Sequence, residues 1–449
     1  MPSPASRLVC SGCGSAPAAR DPYPFRCPDA AGGDVDHVLV RVLDLDRVSF
    51  PVGAAGSGSP FVRYRGLLHS HHRATAAGLT DEEVVAIVTR LDEAVARVAG
   101  AGFRATPFAR DASLSDQLGF HPAGGVWVKD ETGNVAGSHK ARHLMGVLLH
   151  LEVSERLGLA DPQARPDLAI ASCGNAALAA AVLARAADRR LRVFVPVDAD
   201  PPVLAGLRDL GADVVGCPRD PGEPGDPTYA RLRAALAAGA LPFTCQGSEN
   251  GLVIEGGETL AFEIASDLGT RGEALDHLVV QVGGGALASA CIQGLGEAVG
   301  LDALGRMPRV HTVQTAGAHP LERAYARVRD RLPAAPGPAE IAGAMRDAAV
   351  HRSAFMWPWE GEPRSIATGI LDDETYDWRA VVEGMLATGG RPLVVGEELL
   401  ARAHDLGRAA GFPVDPTGSS GLAGLLELRA EGGIGPDERV GVLFTGVER

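Results

Sequence analysis

Four short segments of this 449-residue sequence place side chains and free backbone groups where they could do chemistry. The first is VWVKDETGNVAGSHKARH, residues 126–143. Its spacing predicts a strand over 126–129, a polar loop of small residues, and an apolar helix over 143–151, with Lys140 at the junction. An amine condenses with an aldehyde only when deprotonated, and partial burial near a helix start disfavours the ammonium form. A lone lysine there would ordinarily be a solvated first-turn residue. The other segments give it weight.

The second is ASCGNAALAAAVLARA, residues 171–186. A strand ends near Ser172, a turn passes Cys173 and Gly174, and Asn175 opens an alanine-rich helix. Unpaired N–H groups at such a start bind anions, and a carboxylate is the natural guest. The plain alternative is an ordinary β–α turn. Cys173 has no histidine motif beside it, so it is not taken as a nucleophile.

The third, VVQVGGGALASACIQGL over 279–295, runs an apolar strand into Gly283, Gly284 and Gly285 and then into a helix starting at Ala286 and Leu287. Glycines let backbone close on a phosphate while helix N–H groups point at it. Gly283, Gly285 and Ala288 also satisfy a dinucleotide pattern, which wants an acidic residue at the end of the next strand. That strand, expected over 310–314, ends in Gln314 and Thr315. The segment therefore reads as a site for one phosphate group rather than for NAD. The fourth, GVLFTGVER over 441–449, delivers Thr445 and Gly446 at a strand's carboxyl end, where ligands of parallel sheets gather. In DPTGSSGLAGLLEL, residues 415–428, Thr417 or Ser419 could equally cap a helix or offer a hydroxyl.

The elements that must position these residues alternate. Strands are expected over 126–129, 168–172, 193–196, 214–217, 278–282, 310–314 and 440–444, with helices between several of them, as at 175–187 and 259–268. Apolar strands alternating with helices imply an α/β fold of parallel sheets covered on both faces. Upstream, apolar residues recur at helical spacing over 81–98, after a Thr80 suited to cap. Stretches 53–60, 218–227 and 332–338 read as loops.

Composition excludes some functions. A net charge of −14 repels nucleic-acid phosphates and anionic membranes. No apolar run reaches the roughly 18 residues of a spanning helix, and residues 1–20 lack a signal-type apolar core. The cytoplasm is the expected address. Seven cysteines, sparse and odd in number, do not suggest a disulfide framework.

Taken together, the four segments resemble the fold-type II pyridoxal-phosphate enzymes, the tryptophan synthase β-like group, and look most similar to threonine synthase and threonine dehydratase. The resemblance runs from about Arg104 to Arg449, roughly three quarters of the chain. The family pairs Lys-Asp-Glu with a Schiff-base lysine nine residues past the glutamate, matched by Lys129, Asp130, Glu131 and Lys140. His139 looks more like tryptophan synthase β, since threonine synthases usually have phenylalanine there. The Ser-x-Gly-Asn loop matches Ser172, Cys173, Gly174 and Asn175, and the segment at 254–264, IEGGETLAFEI, also looks threonine-synthase-like. The resemblance implies pyridoxal 5′-phosphate on Lys140, its 3′ oxygen at Asn175, its phosphate on Gly283, Gly284, Gly285, Ala286 and Leu287, and its pyridine nitrogen facing Thr445. Ser172 to Asn175 would hold the substrate carboxylate, and Lys140 would act as general base at Cα. A neutral hydroxyl at the pyridine nitrogen makes a weaker electron sink than a carboxylate. That favours β-elimination, or β- or γ-replacement, on a small amino acid. The alternatives are threonine synthase itself, acting on phosphohomoserine; a cofactor-binding protein without turnover; and a nicotinamide oxidoreductase.

The expected organisation is a ribbon-like segment with linker at 1–60, a large cofactor domain from 61–150 and 255–449, and a smaller α/β domain at 151–254. A homodimer is the assembly considered. Cys10, Cys13 and Cys27 look like a degraded zinc ribbon of a kind some threonine synthases carry. A structural zinc needs four ligands, with Asp29 and His37 poor candidates for the fourth, so a zinc at Cys10, Cys13 and Cys27 is possible but not the expected outcome. The HSHH run at 69–72 reads as solvated polar surface.

Overall fold

The computed structural model describes residues 3–30, 32–56, 58–219 and 225–449, so the loops expected at 53–60 and 218–227 lie partly outside the described residues. Twelve strands among the described residues form three sheets. A two-stranded antiparallel sheet pairs β1 (Ser6–Cys10) with β2 (Leu39–Leu43). The large sheet is built from β3 (Phe108–Asp111), β4 (Gly125–Asp130), β9 (His277–Gln281), β10 (Arg309–Thr315), β11 (Pro392–Val395) and β12 (Arg439–Phe444), in the order β11-β10-β9-β12-β4-β3. Its pairs are parallel except the edge pair β3–β4. The intervening strands β5 (Leu168–Ala171), β6 (Leu191–Pro196), β7 (Asp213–Cys217) and β8 (Leu241–Pro242) form a separate parallel sheet, β7-β6-β5-β8.

All seven expected strands are present. The additional strands of the two parallel sheets have a plain cause. β8 has two residues, β11 opens on a proline at the sheet edge, and β3 ends in Arg-Asp at the other edge. Edge and very short strands lack the apolar run that marks a strand buried on both faces. The helix Asp81–Ala99 starts as expected: Thr80 accepts from Glu83 N–H while Glu83 accepts from Thr80 N–H, a reciprocal capping box.

Two glycines in the 254–264 run have a packing cause. The helices Lys140–Arg156 and Val253–Arg271 cross so closely that a Cβ on Gly256 would collide with the Arg142 carbonyl, and one on Gly257 with the His143 ring. The domain limits at 151 and 254 fall inside these same helices.

The HSHH run departs from expectation. It forms the helix His69–Ala76, and His69 and His72 are buried. Both rings reach the Ser6 hydroxyl, at 2.9 and 2.8 Å, and the His69 N–H donates to Glu255 at 2.7 Å. These polar groups are inside because they bond one another across β1 and the long helix, which local sequence cannot reveal. No helix among the described residues is long and apolar enough to cross a membrane.

Candidate active site

Lys140, the turn 172–175, the turn and helix start 283–287, and Thr445 line one cavity of about 330 Å³. Topology brings them together. Each follows the carboxyl end of a strand in a parallel pair: β4, β5, β9 and β12 respectively. Ligands collect at that edge because loops and helix N-termini converge there.

Lys140 is the first residue of its helix, preceded by a turn in which Ala136 takes a left-handed φ of 54°. A buried ionic cluster fixes this loop. Arg142 donates to Glu131 at 2.8 Å and to Glu263 at 2.7 Å, and Asn134 donates to Glu131 at 2.8 Å. Lys129 donates to the Thr106 carbonyl at 2.8 Å and pairs with Glu263. The side chains of Lys129, Glu131, Arg142 and Glu263 are fully buried, and every one of them is paired with an opposite charge. The Lys-Asp-Glu motif is thus a clamp whose partners, Arg142 and Glu263, anchor the start of the lysine helix.

The glycine turn can be built only from glycine. Gly285 has φ +97°, a Cβ on Gly284 would lie 2.8 Å from the Tyr376 ring, and one on Gly285 would lie 2.9 Å from Thr375 Cγ2. From behind, the Thr375 hydroxyl donates to Gly283 O at 3.0 Å and Asp377 N–H to Gly284 O at 3.1 Å. On the cavity side the first-turn N–H groups of the helix Ala286–Gly300 have no intrahelical acceptor. Those free N–H groups could approach an anionic oxygen. Burial pushes the Asp372 carboxyl, which lines the same cavity, up to about 6, against the opposing pull of Lys140.

Thr445 is buried and not frayed. Its carbonyl accepts from His139 N–H at 3.3 Å, and Val447 N–H donates to Gly137 O at 2.9 Å. Its hydroxyl lies 2.7 Å from the Gln281 amide nitrogen, whose two hydrogens are shared between it and the Gly418 and Leu443 carbonyls. An oxygen that accepts from Gln281 keeps its own proton to donate elsewhere. Neither Thr417 nor Ser419 caps the helix Ser420–Ala430: Thr417 accepts from Gly369 N–H and Ser419 donates to Asp415 O.

Asn175 lines the cavity, and its side-chain oxygen accepts from Arg449. The Ser172 hydroxyl accepts from Gly174 N–H at 3.4 Å. Cys173 is exposed at the cavity, and desolvation by the groups packed around it raises the thiol, which favours the unreactive protonated form. Burial also holds His139 well below its ordinary value, reinforced by Lys140 and His143, so the ring is neutral. Gln281, Asp372 and Tyr376 are cavity residues that sequence reasoning missed. Gln281 had a signal, as the last residue of an apolar strand running into glycines. The other two sit on an irregular segment with none.

The N-terminal cysteines come together with His37. Ligand atoms of Cys10, Cys13, Cys27 and His37 all lie within 4.8 Å of one another. Cys10 Sγ is 3.6 Å from His37 Nδ1, and Cys13 Sγ is 3.6 Å from Cys27 Sγ. His37, a poor fourth ligand on sequence grounds, arrives because the β1–β2 pairing brings the residues just before Leu39 beside Cys10.

The chain is 26% identical over 343 residues to a threonine synthase of Methanocaldococcus jannaschii, covering 76% of this chain and 74% of that one. It is 27% identical over 345 residues to a threonine synthase of Methanosarcina acetivorans, with the same coverage. Among solved structures, the processed form of threonine deaminase isoform 2 from Solanum lycopersicum superposes with a TM-score of 0.58 at 16% identity, covering 83% of this chain and 92% of that one. Diaminopropionate ammonia lyase from Escherichia coli gives 0.58 at 15% identity, covering 89% and 93%. These structural likenesses establish the fold. Residues 100–446 match the family described as pyridoxal-phosphate dependent enzyme, and the chain belongs to that family of enzymes.

Proposed function

We propose that this chain catalyses β-elimination, or β- or γ-replacement, on a small amino acid that carries no phosphate. The convergence of Lys140, the 172–175 turn, the glycine turn and Thr445 on one cavity carries the reading. The residues fit pyridoxal 5′-phosphate. Lys140 would hold its aldehyde, the N–H groups of Gly283 to Leu287 its phosphate, Asn175 its 3′ oxygen, and the Thr445 hydroxyl, fixed by Gln281, would donate to its ring nitrogen. When bound, the cofactor supplies an electron sink for charge developing at Cα. Ser172 to Asn175 would seat the substrate carboxylate at a helix start. The Lys140 amine, once free, would take the Cα proton as general base. Neutral His139 beside it cannot repel the lysine's positive form.

The threonine synthase names of the two relatives favour phosphohomoserine. The lining favours an unphosphorylated substrate. Among the described residues that line the cavity, the nitrogen bases are Lys140 and neutral His139, while Asp226 and Asp372 are acids. Among these lining residues, a second phosphate would find no cation once Lys140 holds the cofactor.

Lys140→Ala tests the assignment. The variant should keep its far-ultraviolet spectrum and lose both the visible cofactor band and turnover. Borohydride treatment of the wild type should place the cofactor on the Lys140 peptide by mass spectrometry; labelling of another lysine refutes the site. Titration with serine, threonine, O-acetylserine and phosphohomoserine tests the substrate, and turnover of phosphohomoserine alone would overturn the charge argument.

A structural zinc at Cys10, Cys13, Cys27 and His37 completes the cofactor reading. Ligands about 2.3 Å from a tetrahedral ion stand roughly 3.8 Å apart, close to the 3.6 Å separations here. Elemental analysis should give one zinc per chain, depleted or lost in Cys10→Ser and His37→Ala. Metal-free protein with an unchanged melting temperature would exclude it.

A further inference from the structure

The glycine turn is held from behind by residues 374–379, and these are held in turn by the N-terminal hairpin. A planar trans peptide sets its N–H opposite its carbonyl, so a carbonyl fixed on one side of a turn aims the next N–H at the other side. The Thr375 hydroxyl on Gly283 O therefore directs Gly284 N–H, and Asp377 N–H on Gly284 O directs Gly285 N–H, both away from the 374–379 segment. Both ends of that segment are tied. Arg352 donates to Glu374 and, at 3.2 Å, to Asp36. Arg379 donates to the Ser11 hydroxyl at 3.2 Å and to the Ser11 carbonyl at 3.1 Å, with Asp36 3.9 Å away. Asp36 is buried, so releasing both arginines would leave its charge unpaired. Ser11 follows Cys10 and Asp36 precedes His37, so each tie lands one residue from a member of the cysteine–histidine cluster. A Cβ on Gly12 would collide with the Asp36 carbonyl, so the turn after Ser11 packs directly on Asp36. Between β1 and β2 the described residues form no helix or strand, and the buried core around the cluster is Cys10, Cys27 and Leu39. Two paired strands alone are marginally stable in water. An ion held by all four side chains cross-links this irregular loop and so fixes Ser11 and Asp36.

We propose that Arg352 and Arg379 are positioning residues for the cofactor phosphate, and that through them the N-terminal cluster and the active cavity are coupled. A metal on Cys10, Cys13, Cys27 and His37 tightens the hold on pyridoxal 5′-phosphate, and the cofactor tightens the hold on the metal. The coupling rests on the zinc reading and on the phosphate lying at the glycine turn. It is reciprocal by necessity, because both guests favour the same placement of residues 374–379. It acts through contiguous hydrogen bonds, from Ser11 and Asp36 through the two arginines to the carbonyls of Gly283 and Gly284. It acts on the phosphate alone, since Lys140 opens a separate helix and Thr445 follows β12.

Equilibrium dialysis tests this by comparing pyridoxal 5′-phosphate with pyridoxal, which has the ring and aldehyde but no phosphate, in zinc-loaded and chelator-stripped protein. Stripping should weaken pyridoxal 5′-phosphate by roughly tenfold and leave pyridoxal unchanged. Arg379→Gln should weaken pyridoxal 5′-phosphate by a similar factor in zinc-loaded protein and make it insensitive to stripping. Zinc affinity, read by competition with a chelating dye, should rise on adding pyridoxal 5′-phosphate by the factor that zinc gives the cofactor. Equal cofactor affinity with and without zinc, an equal loss for pyridoxal, or a stripping effect undiminished in Arg379→Gln would each overturn the proposal. If stripped protein loses its far-ultraviolet spectrum, zinc-loaded Arg379→Gln decides: a loss confined to pyridoxal 5′-phosphate supports the positioning role, and an equal loss of both forms refutes it. Protein that takes up no zinc refutes the zinc reading and the coupling with it, whereas zinc-loaded Gly284→Val with wild-type affinity places the phosphate elsewhere.

Discussion

Gln281, at the end of β9, donates its side-chain amide to the Thr445 hydroxyl, just past β12, across 2.7 Å. The strands are neighbours in the large sheet, so register alone places the pair. The same amide binds two backbone carbonyls, which leaves it no freedom to turn. Thr445 is therefore presented as a donor of fixed direction. Thr445→Ala and Gln281→Leu should each weaken cofactor affinity by roughly fivefold, the equivalent of about 1 kcal/mol for one net hydrogen bond. The double variant should be no worse than the poorer single one, since the two act as a unit. Absorbance titration of apoprotein with pyridoxal 5′-phosphate reads this; additive losses would show that the residues act separately.

The buried cluster around Arg142 predicts a pH dependence. Burial raises Glu263, but Arg142 and Lys129 outweigh it and leave the carboxyl below its ordinary value. The unfolded chain then binds a proton before the native one does. The Glu263 contribution is complete above the ordinary carboxylate value of about 4.3 and is lost as pH falls through the lower native one. Glu263→Gln leaves two buried cations short of a partner and should cost about 3–5 kcal/mol near neutrality. Melting curves should show the gap between wild type and variant closing as acidity increases.

Asp372 predicts the opposite sign. Burial pushes it up to about 6. Between about 3.9 and that value the native state binds the extra proton, so the stability contribution is present at low pH and lost as pH rises through the window. Asp372→Asn removes this dependence. It should melt later than wild type at about pH 7.5 and equally at about pH 4. Identical shifts at both pH values would assign the effect to packing.

The chemistry-bearing segments were legible because each is local. A strand end, a turn of small residues and a helix start occur within a few positions, as in 279–287 and 126–140. What depends on sheet register or helix crossing was not. Gln281 gains meaning only from β12 beside β9, His37 only from β2 beside β1, and Glu263 only from the close crossing over Gly256. His69 and His72 misled for the same reason: a polar run reads as surface until its distant partners are known. Asp372 and Tyr376 lie on a segment without periodicity, so neither pattern nor propensity could place them.

The glycine turn gives the sharpest steric test. Gly284→Val would set a branched side chain against the Tyr376 ring, already 2.8 Å from the Cβ position, while Gly285→Ala would impose a Cβ on a backbone at φ +97°. The left-handed cost to alanine is about 1–2 kcal/mol. Both changes lie where the helix N–H groups must approach an anion, so both should act on cofactor retention. Gly296, within the helix Ala286–Gly300 but with nothing within 4 Å of its Cβ position, is the control. Gly296→Ala should leave affinity unchanged and stabilise the helix slightly, by up to about 1 kcal/mol. Equilibrium dialysis against pyridoxal 5′-phosphate should rank the affinities as wild type and Gly296→Ala together, then Gly285→Ala and Gly284→Val well below. If Gly284→Val retains wild-type affinity while folded, the phosphate is bound elsewhere, and Ser419 and Ser420 at the start of the helix Ser420–Ala430 become the next residues to change.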